Sequence, residues 1–435
     1  MKPKSLLKGL LLLAIVICVQ TRVWAFNSGT ANMPVTQEDV ILQWNRVLME
    51  TVLTPGQHPA TIMPVRSYSM MHAAMFDAVN SIAGTHTPYL TDVPGSPNAS
   101  IEAAAAQAAR DVLVGLYPAR VAVFDAELAI SLQGIEENRA QQGIRVGQIV
   151  AERMLAARAN DGWTVTPPPY SLPATPGNWQ PAPPANVAAT FTHYPSVKPF
   201  AITSATQFAP NSPPSMTSAQ YAADLNEVKE LGALNSAIRT ADQTLVARLW
   251  ANVNTPTNFL LVWNNVARTV SVARDITTIE KARLFALTNI ALHDALQTTF
   301  ASKFQHGLWR PVTAIRRADE DGNANTTPDP GWLSLIPNPP YPSYAGNMAA
   351  IGTSQATILA QFFGRDDIRF DHTWIGAGGA TRSYAGFSAM ANEQARARVY
   401  GGIHFTFDNV AGQSVGTSVA NYIFGNVMRP RECIR

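Results

Sequence analysis

The sequence predicts an all-α protein, a bundle of packed helices, and three observations carry that expectation. Apolar residues recur at helical spacing around 38–53, 66–82, 98–117, 120–133, 139–159, 218–233, 239–252, 277–304, 347–363, 384–397 and 410–425. Helix-start signals precede two of the strongest segments: Asn98 as an N-cap, and Thr277 with Glu280 spaced as a capping box. No run of alternating β-branched residues is long enough to suggest a sheet, so helix-on-helix packing is the expected architecture.

The N-terminus reads as a targeting segment. Lys2, Lys4 and Lys8 precede the apolar run at 10–19, and Val23, Trp24 and Ala25 precede a cleavage site expected after Ala25. The run is shorter than the roughly 20 apolar residues needed to span a bilayer, so residues 1–25 read as a signal peptide. Cys18 follows Ile17, which is too large for a lipoprotein cleavage site. Export to the periplasm or the medium is expected, with no membrane span in the mature chain. The leader carries Lys2, Lys4, Lys8 and Arg22 and no acid, so the formal charge of +2 becomes −2 on cleavage. Nothing in that balance points to nucleic acid. Cys433 is the only cysteine left, which excludes an internal disulfide. The mature chain, residues 26–435, is long enough for a large core.

The opening segments, 38–53 to 139–159, supply amphipathic helices. Residues 166–215 break the pattern with prolines at 167–169 and PAPP at 181–184. The same stretch carries Trp179, Phe191, Tyr194, Phe200 and Phe208, and aromatics at that density find something to pack against. An ordered excursion wrapped on the helical core is expected rather than a linker.

Residues 270–425 hold the chemistry. Lys303 and Arg310 flank the break made by Gly307 and Pro311, and Trp309 beside Arg310 favours a buried charge. Arg398 lies six residues before His404, Gly401-Gly402 allow a sharp turn, and Asp408 follows four residues later. Two arginines, a lysine and a histidine suit a tetrahedral oxyanion, because guanidinium forks match paired oxygens and an imidazole nitrogen can bond the central atom. Asp408 can take the Nδ1 proton of His404 and leave Nε2 free.

These segments, KFQHGLWRPVTAIR, YPSY at 341–344 and ARVYGGIHFTFDNVAG, resemble the vanadium-dependent haloperoxidases, a family that shares its helical-bundle fold and site with acid phosphatases and type 2 phosphatidic acid phosphatases. VILQWNRVLMETV, MMHAAMFDAVNSI, PGNWQPAPP, VKPFAI and SATQFAP extend the resemblance from about 38 to 425. It implies that Lys303, Arg310 and Arg398 bind vanadate oxygens. It also implies that His404 is the axial vanadium ligand, or the phosphatase nucleophile, with Asp408 supporting its ring. Phosphate is the alternative occupant. The implied partners are hydrogen peroxide and a halide or small organic substrate. A homodimer is consistent with the apolar helical surface, though no interface can be read.

The central motif departs from the family. Family members carry Pro-Ser-Gly-His or Pro-Ser-Asn-His after a tyrosine, and without a gap those positions are Ala345, Gly346, Asn347 and Met348. The oxyanion-bonding serine becomes Gly346 and the acid–base histidine becomes Met348, while Asn347 agrees with one branch. Using Pro342-Ser343 instead recovers a serine only through an insertion. A positioned acid–base group contributes roughly 10²–10⁴ in rate, and methionine is aprotic. Oxyanion binding is therefore expected to persist while turnover slows. His72, Asp77, His293, His306, His372 and Tyr344 are the other groups weighed as replacement donors. Three functions stay open: an impaired haloperoxidase-like enzyme, a phosphate-ester hydrolase, and a catalytically degenerate oxyanion-binding protein.

Overall fold

The computed structural model describes residues 38–56, 62–94, 97–251, 259–374 and 379–431. The expected signal peptide and Cys433 lie outside the described residues. Among those described, thirteen α-helices run in chain order. They are α1 (Val40–Leu53), α2 (Val65–Ala83), α3 (Ile101–Leu116), α4 (Val121–Ser131), α5 (Glu137–Arg158), α6 (Ala219–Leu231) and α7 (Ala241–Leu249). Then follow α8 (Phe259–Ala273), α9 (Thr278–His306), α10 (Pro311–Arg316), α11 (Asn347–Phe363), α12 (Phe387–Tyr400) and α13 (Thr406–Asn426). The all-α expectation holds.

α9 organises the rest. It opens with the Thr277–Glu280 capping box and is buried almost continuously from Lys281 to Phe300, as a helix apolar on most sides must be. It packs between α2 and α11; α2 in turn meets α3 and α5, and α11 meets α12 and α13. Two of these pairs approach closely through glycine. A Cβ at Gly143 or Gly147 of α5 would stand 2.4–2.5 Å from carbonyls of α3, and one at Gly412 or Gly416 of α13 would stand 2.1–2.4 Å from carbonyls of Gly346 and Ala350. Only residues without a side chain let these backbones touch, and the α11–α13 seam is what seats the central motif against His404.

Several local expectations need correction. The cap of α3 is Ser100, not Asn98, because the Ser100 hydroxyl reaches the Ala103 N–H at 3.1 Å. Although no sheet was suggested, a short one forms around His372: β1 (Phe370–Trp374) pairs antiparallel with β2 (Ala380–Tyr384), Phe370 opposite Tyr384 and Trp374 opposite Ala380. Alternation is present in β1, where Phe370, His372 and Trp374 turn inward, but five residues are too few to stand out in sequence. The helices α8 and α10 were also not anticipated; α8 is rich in β-branched Val, and α10 spans under two turns.

The proline-rich stretch lies along α9. The Asp294 carboxylate accepts the backbone N–H groups of Phe200, Ala201 and Ile202 at 2.7–2.9 Å, and Gln297 donates to the carbonyls of Tyr194 and Val197. Trp179 and Tyr194 are buried. At the end of α9, Trp179 N–H donates to Gly307 O at 2.7 Å and Trp309 N–H to Gly177 O at 2.9 Å. This clamp fixes the chain where Lys303 and Arg310 leave the helix.

Candidate oxyanion site

Each cation sits where a helix ends. Lys303 lies in the last turn of α9, which Gly307 stops at φ +57°, a left-handed conformation that glycine adopts without a Cβ penalty. Arg310 is the N-cap residue of α10, with Pro311 at the first helical position. Arg398 lies in the last turn of α12. Helix C-termini carry partial negative charge, so Lys303 and Arg398 are placed favourably. The turn to His404 runs through Gly402, whose φ of +77° and close approach to the Gly232 carbonyl leave no room for a side chain.

The cations converge with His404 and Asp408 in the interior. Lys303, Arg310 and Asp408 are fully buried, His404 nearly so, and Arg398 is 7% exposed. Lys303 Nζ donates to the carbonyls of Ser343 and Ala345, both at 2.7 Å. Arg310 donates to Tyr341 O and Ile403 O at 2.8 Å, and its Nη1 lies 3.1 Å from His404 Nε2. Arginine is always a donor here, so Nε2 is the acceptor and Nδ1 carries the proton. That proton points to Asp408 Oδ2 at 2.8 Å. The same oxygen accepts from Ser343 Oγ and, at 3.1 Å, from the Phe405 N–H. The tautomer is fixed with a lone pair on Nε2, facing the cations.

Electrostatics follow from that arrangement. Burial, then Arg310, Lys303 and Arg398, push His404 well below the ordinary histidine value. Burial and the two arginines likewise depress Lys303. Burial lowers Arg310 and Arg398 to about 10 and raises Asp408 to about 6, although Ser343, Lys303 and Arg310 pull the carboxyl back. Three cations thus face one carboxylate, an excess of positive charge that a bound anion relieves.

The residues present fit a tetrahedral oxyanion. Arg310 Nη2 and Arg398 Nε are buried donors without a hydrogen-bond partner, which is costly unless a ligand accepts from them. Lys303 keeps a third proton beyond its two carbonyl bonds. Gly346 leaves the start of α11 without a side-chain cap, and a helix N-terminus favours an anion. Among the described residues no group of three His, Cys, Asp or Glu could hold a metal cation.

Arg398, Asn347 and Met348 open onto a cavity of about 430 Å³ walled by Ile62, Phe191, Trp250, Ile336, Tyr341 and a run of prolines. Met348 Sδ accepts from Gln394 Nε2 at 3.9 Å. No histidine is among the described residues that line this cavity. His72 bonds Asn45 at 2.9 Å, and Asp77 accepts the N–H groups of Tyr89, Leu90 and Thr91. His293 pairs with Asp294 at 3.0 Å, His372 packs on Trp374, and His306 packs edge-on against Tyr344, whose hydroxyl donates to Asn211 O. None of these six side chains is among the described residues that line the cavity. Sequence reasoning underrated Ser343 and Tyr341: Ser343 braces Asp408, and the Tyr341 ring faces Lys303 and Arg310 at 5.4 and 5.0 Å.

Gly346 is more than a missing serine. A Cβ there would stand 2.9 Å from Asp408 O and 2.8 Å from Asn409 Oδ1, and its N–H donates to Asp408 O at 2.8 Å. Gly346→Ser is therefore expected to destabilise the fold by about 1–3 kcal/mol through overpacking, without tightening anion binding. Thermal melting alongside phosphate calorimetry checks this.

The buried histidines also predict acid sensitivity. Burial lowers His72 to about 3 and His372 to about 4, and His293 and His404 move the same way. The stability they contribute is full above the unfolded value of 6.5 and is lost as pH falls through the folded values. Asp77 and Asp408, both raised to about 6, act oppositely as pH falls from 6 to their unfolded value of 3.8. His193, His86 and His306 move with these histidines and Asp224 with the two carboxyls, so the lowered histidines outnumber the raised carboxyls and the melting midpoint is expected to fall between pH 6.5 and 4, readable by calorimetry.

Residues 283–432 match the family described as the VCPO second helical-bundle domain. A curated vanadium chloroperoxidase from Curvularia inaequalis is 28% identical over 155 residues, covering 30% of this chain and 24% of that one. Over residues 283–432 the chain is thus similar to the vanadium haloperoxidases. The match spans about a quarter of that relative's length. Among solved family structures, a bacterial vanadium-dependent iodoperoxidase aligns with TM-score 0.79 at 21% identity, covering 93% of this chain and all of that one. A holo-type bacterial vanadium-dependent chloroperoxidase aligns with TM-score 0.67 at 16% identity, covering 88% and 96%. At these identities the structural likeness establishes the fold.

Proposed function

We propose that the exported chain, residues 26–435 after loss of 1–25, binds vanadate at the buried cluster of Lys303, Arg310 and Arg398. With hydrogen peroxide it oxidises a halide or a small electron donor, slowly. The observation that carries this reading is the pair of unpartnered buried donors, Arg310 Nη2 and Arg398 Nε, gathered with the Nε2 lone pair of His404. Vanadate, when bound, supplies Lewis-acid activation of peroxide.

The protein's own residues do the rest. Arg310, Arg398 and Lys303 would hold oxyanion oxygens, the start of α11 would add its dipole, and His404 would present its Nε2 lone pair to the central atom. Asp408 holds the Nδ1 proton and so keeps that lone pair in place. The apolar cavity excludes water around the anion. Met348 can neither accept nor donate a proton, so proton movement at that face is unassisted and turnover is slow. No halide is singled out by the lining residues.

The test is halide oxidation by the mature protein given orthovanadate and peroxide. Slow, vanadate-dependent turnover is expected. Hydrolysis of p-nitrophenyl phosphate that vanadate inhibits, with no halide oxidation, would replace this reading with the phosphatase one. Anion binding without either activity would leave an oxyanion-binding protein.

A further inference from the structure

The mechanism above leaves the Met348 sulfur without a use. It is 4% exposed, yet the residue lines the cavity with Arg398 and Asn347. Its sulfur is oriented by Gln394 Nε2 at 3.9 Å, and Gln394 is itself fixed by Trp263, whose indole N–H donates to its Oε1 at 2.8 Å. Gln394 and Arg398 stand four residues apart on α12, so they share one face, and Met348 and Arg398 line the same cavity. No other methionine or cysteine is among the described residues lining the cavity. A thioether is the most readily oxidised group on that wall, and its sulfoxide is polar and a strong acceptor.

We infer that Met348 is a redox modification site: peroxide admitted to the cavity converts it to the sulfoxide, and the sulfoxide loosens the oxyanion site. The step balances with hydrogen peroxide as the oxidant. The sulfur lone pair attacks one peroxide oxygen, the O–O bond breaks, an S–O bond forms, and sulfur loses two electrons. The departing oxygen leaves as water after the proton on the transferred oxygen shifts to it. The new S–O dipole, still held by Gln394 Nε2, then competes with the bound anion for the unpartnered Arg398 Nε. Catalysis would thereby limit itself, reversibly, since methionine sulfoxide is reducible. The inference rests on the proposed use of peroxide at this site.

The test uses the full mature protein in two measurements. Vanadate and phosphate affinities of the untreated protein are read first by calorimetry, which judges the reading of the site alone. The protein is then treated with hydrogen peroxide, with and without vanadate, and peptide masses are followed in time. One oxygen is expected on the peptide holding Met348 before the more exposed Met49 and Met216 react, with phosphate affinity falling about tenfold. Methionine sulfoxide reductase is expected to restore it, and Met348→Leu to show no peroxide-dependent loss. If Met348 stays reduced, or is oxidised with no change in affinity, the inference fails whatever vanadate does. A protein that binds no vanadate sinks the proposed function instead.

Discussion

Met348→His is expected to raise halide turnover by at least about 10²-fold, the lower part of the range for a positioned acid–base group. The position lines the cavity beside Arg398 and Asn347, so an imidazole there reaches the face of the anion that Met348 now covers. Gln394 Nε2, which donates to the sulfur, can donate to a ring nitrogen instead. The gain stays at the low end because no carboxylate is among the described cavity-lining residues to support the ring. The neighbouring cations depress any histidine placed there, as they depress His404. Steady-state kinetics with bromide check it. The rise belongs in kcat, with little change in vanadate affinity. A variant no faster than wild type would mean that Met348 is not what limits the natural protein.

Arg310→Met is expected to cut stabilisation by oxyanions to roughly 0.3–1.4 kcal/mol at an anion concentration that gives the wild type about 2.7. Wild-type protein held at 100 times the Kd of phosphate or vanadate gains about 2.7 kcal/mol of stability. A charged donor lost to the anion costs about 1.5–3 kcal/mol, roughly 10–150-fold in affinity. The same substitution leaves the Tyr341 and Ile403 carbonyls without their donor, at about 1–3 kcal/mol each. Relief of repulsion offsets part of that, because Arg310 crowds Lys303 and His404. The net fold destabilisation is therefore smaller than the carbonyl count suggests. Melting curves with and without phosphate separate the two effects: the wild-type midpoint rises with anion and the variant's rises by half as much or less. Equal rises in both would remove Arg310 from the binding site.

Much of this was legible in the sequence because the periodic signals were long. The Thr277–Glu280 capping box starts α9, and the Gly307–Pro311 break ends it with Lys303 and Arg310 on either side. His404 and Asp408, four residues apart, meet as their spacing suggested. Short elements escaped: β1 and β2 have five residues each, too few for alternation to show. Ser343 and Tyr341 escaped for a different reason. They act across the chain, on Asp408 from 65 residues away and on Arg310 from 31, and no local pattern encodes that. The cost of a serine at Gly346 was equally hidden, since it depends on where α13 packs.

The central claim is that the buried cations and the Nε2 lone pair of His404 together bind vanadate. Titrating orthovanadate into the mature protein by calorimetry, beside His404→Ala, tests it most directly. One equivalent bound per chain, competition by phosphate, and a large loss of vanadate affinity in His404→Ala with phosphate binding weakened less are expected. Vanadate binding untouched by the substitution, or none in the wild type, would contradict it.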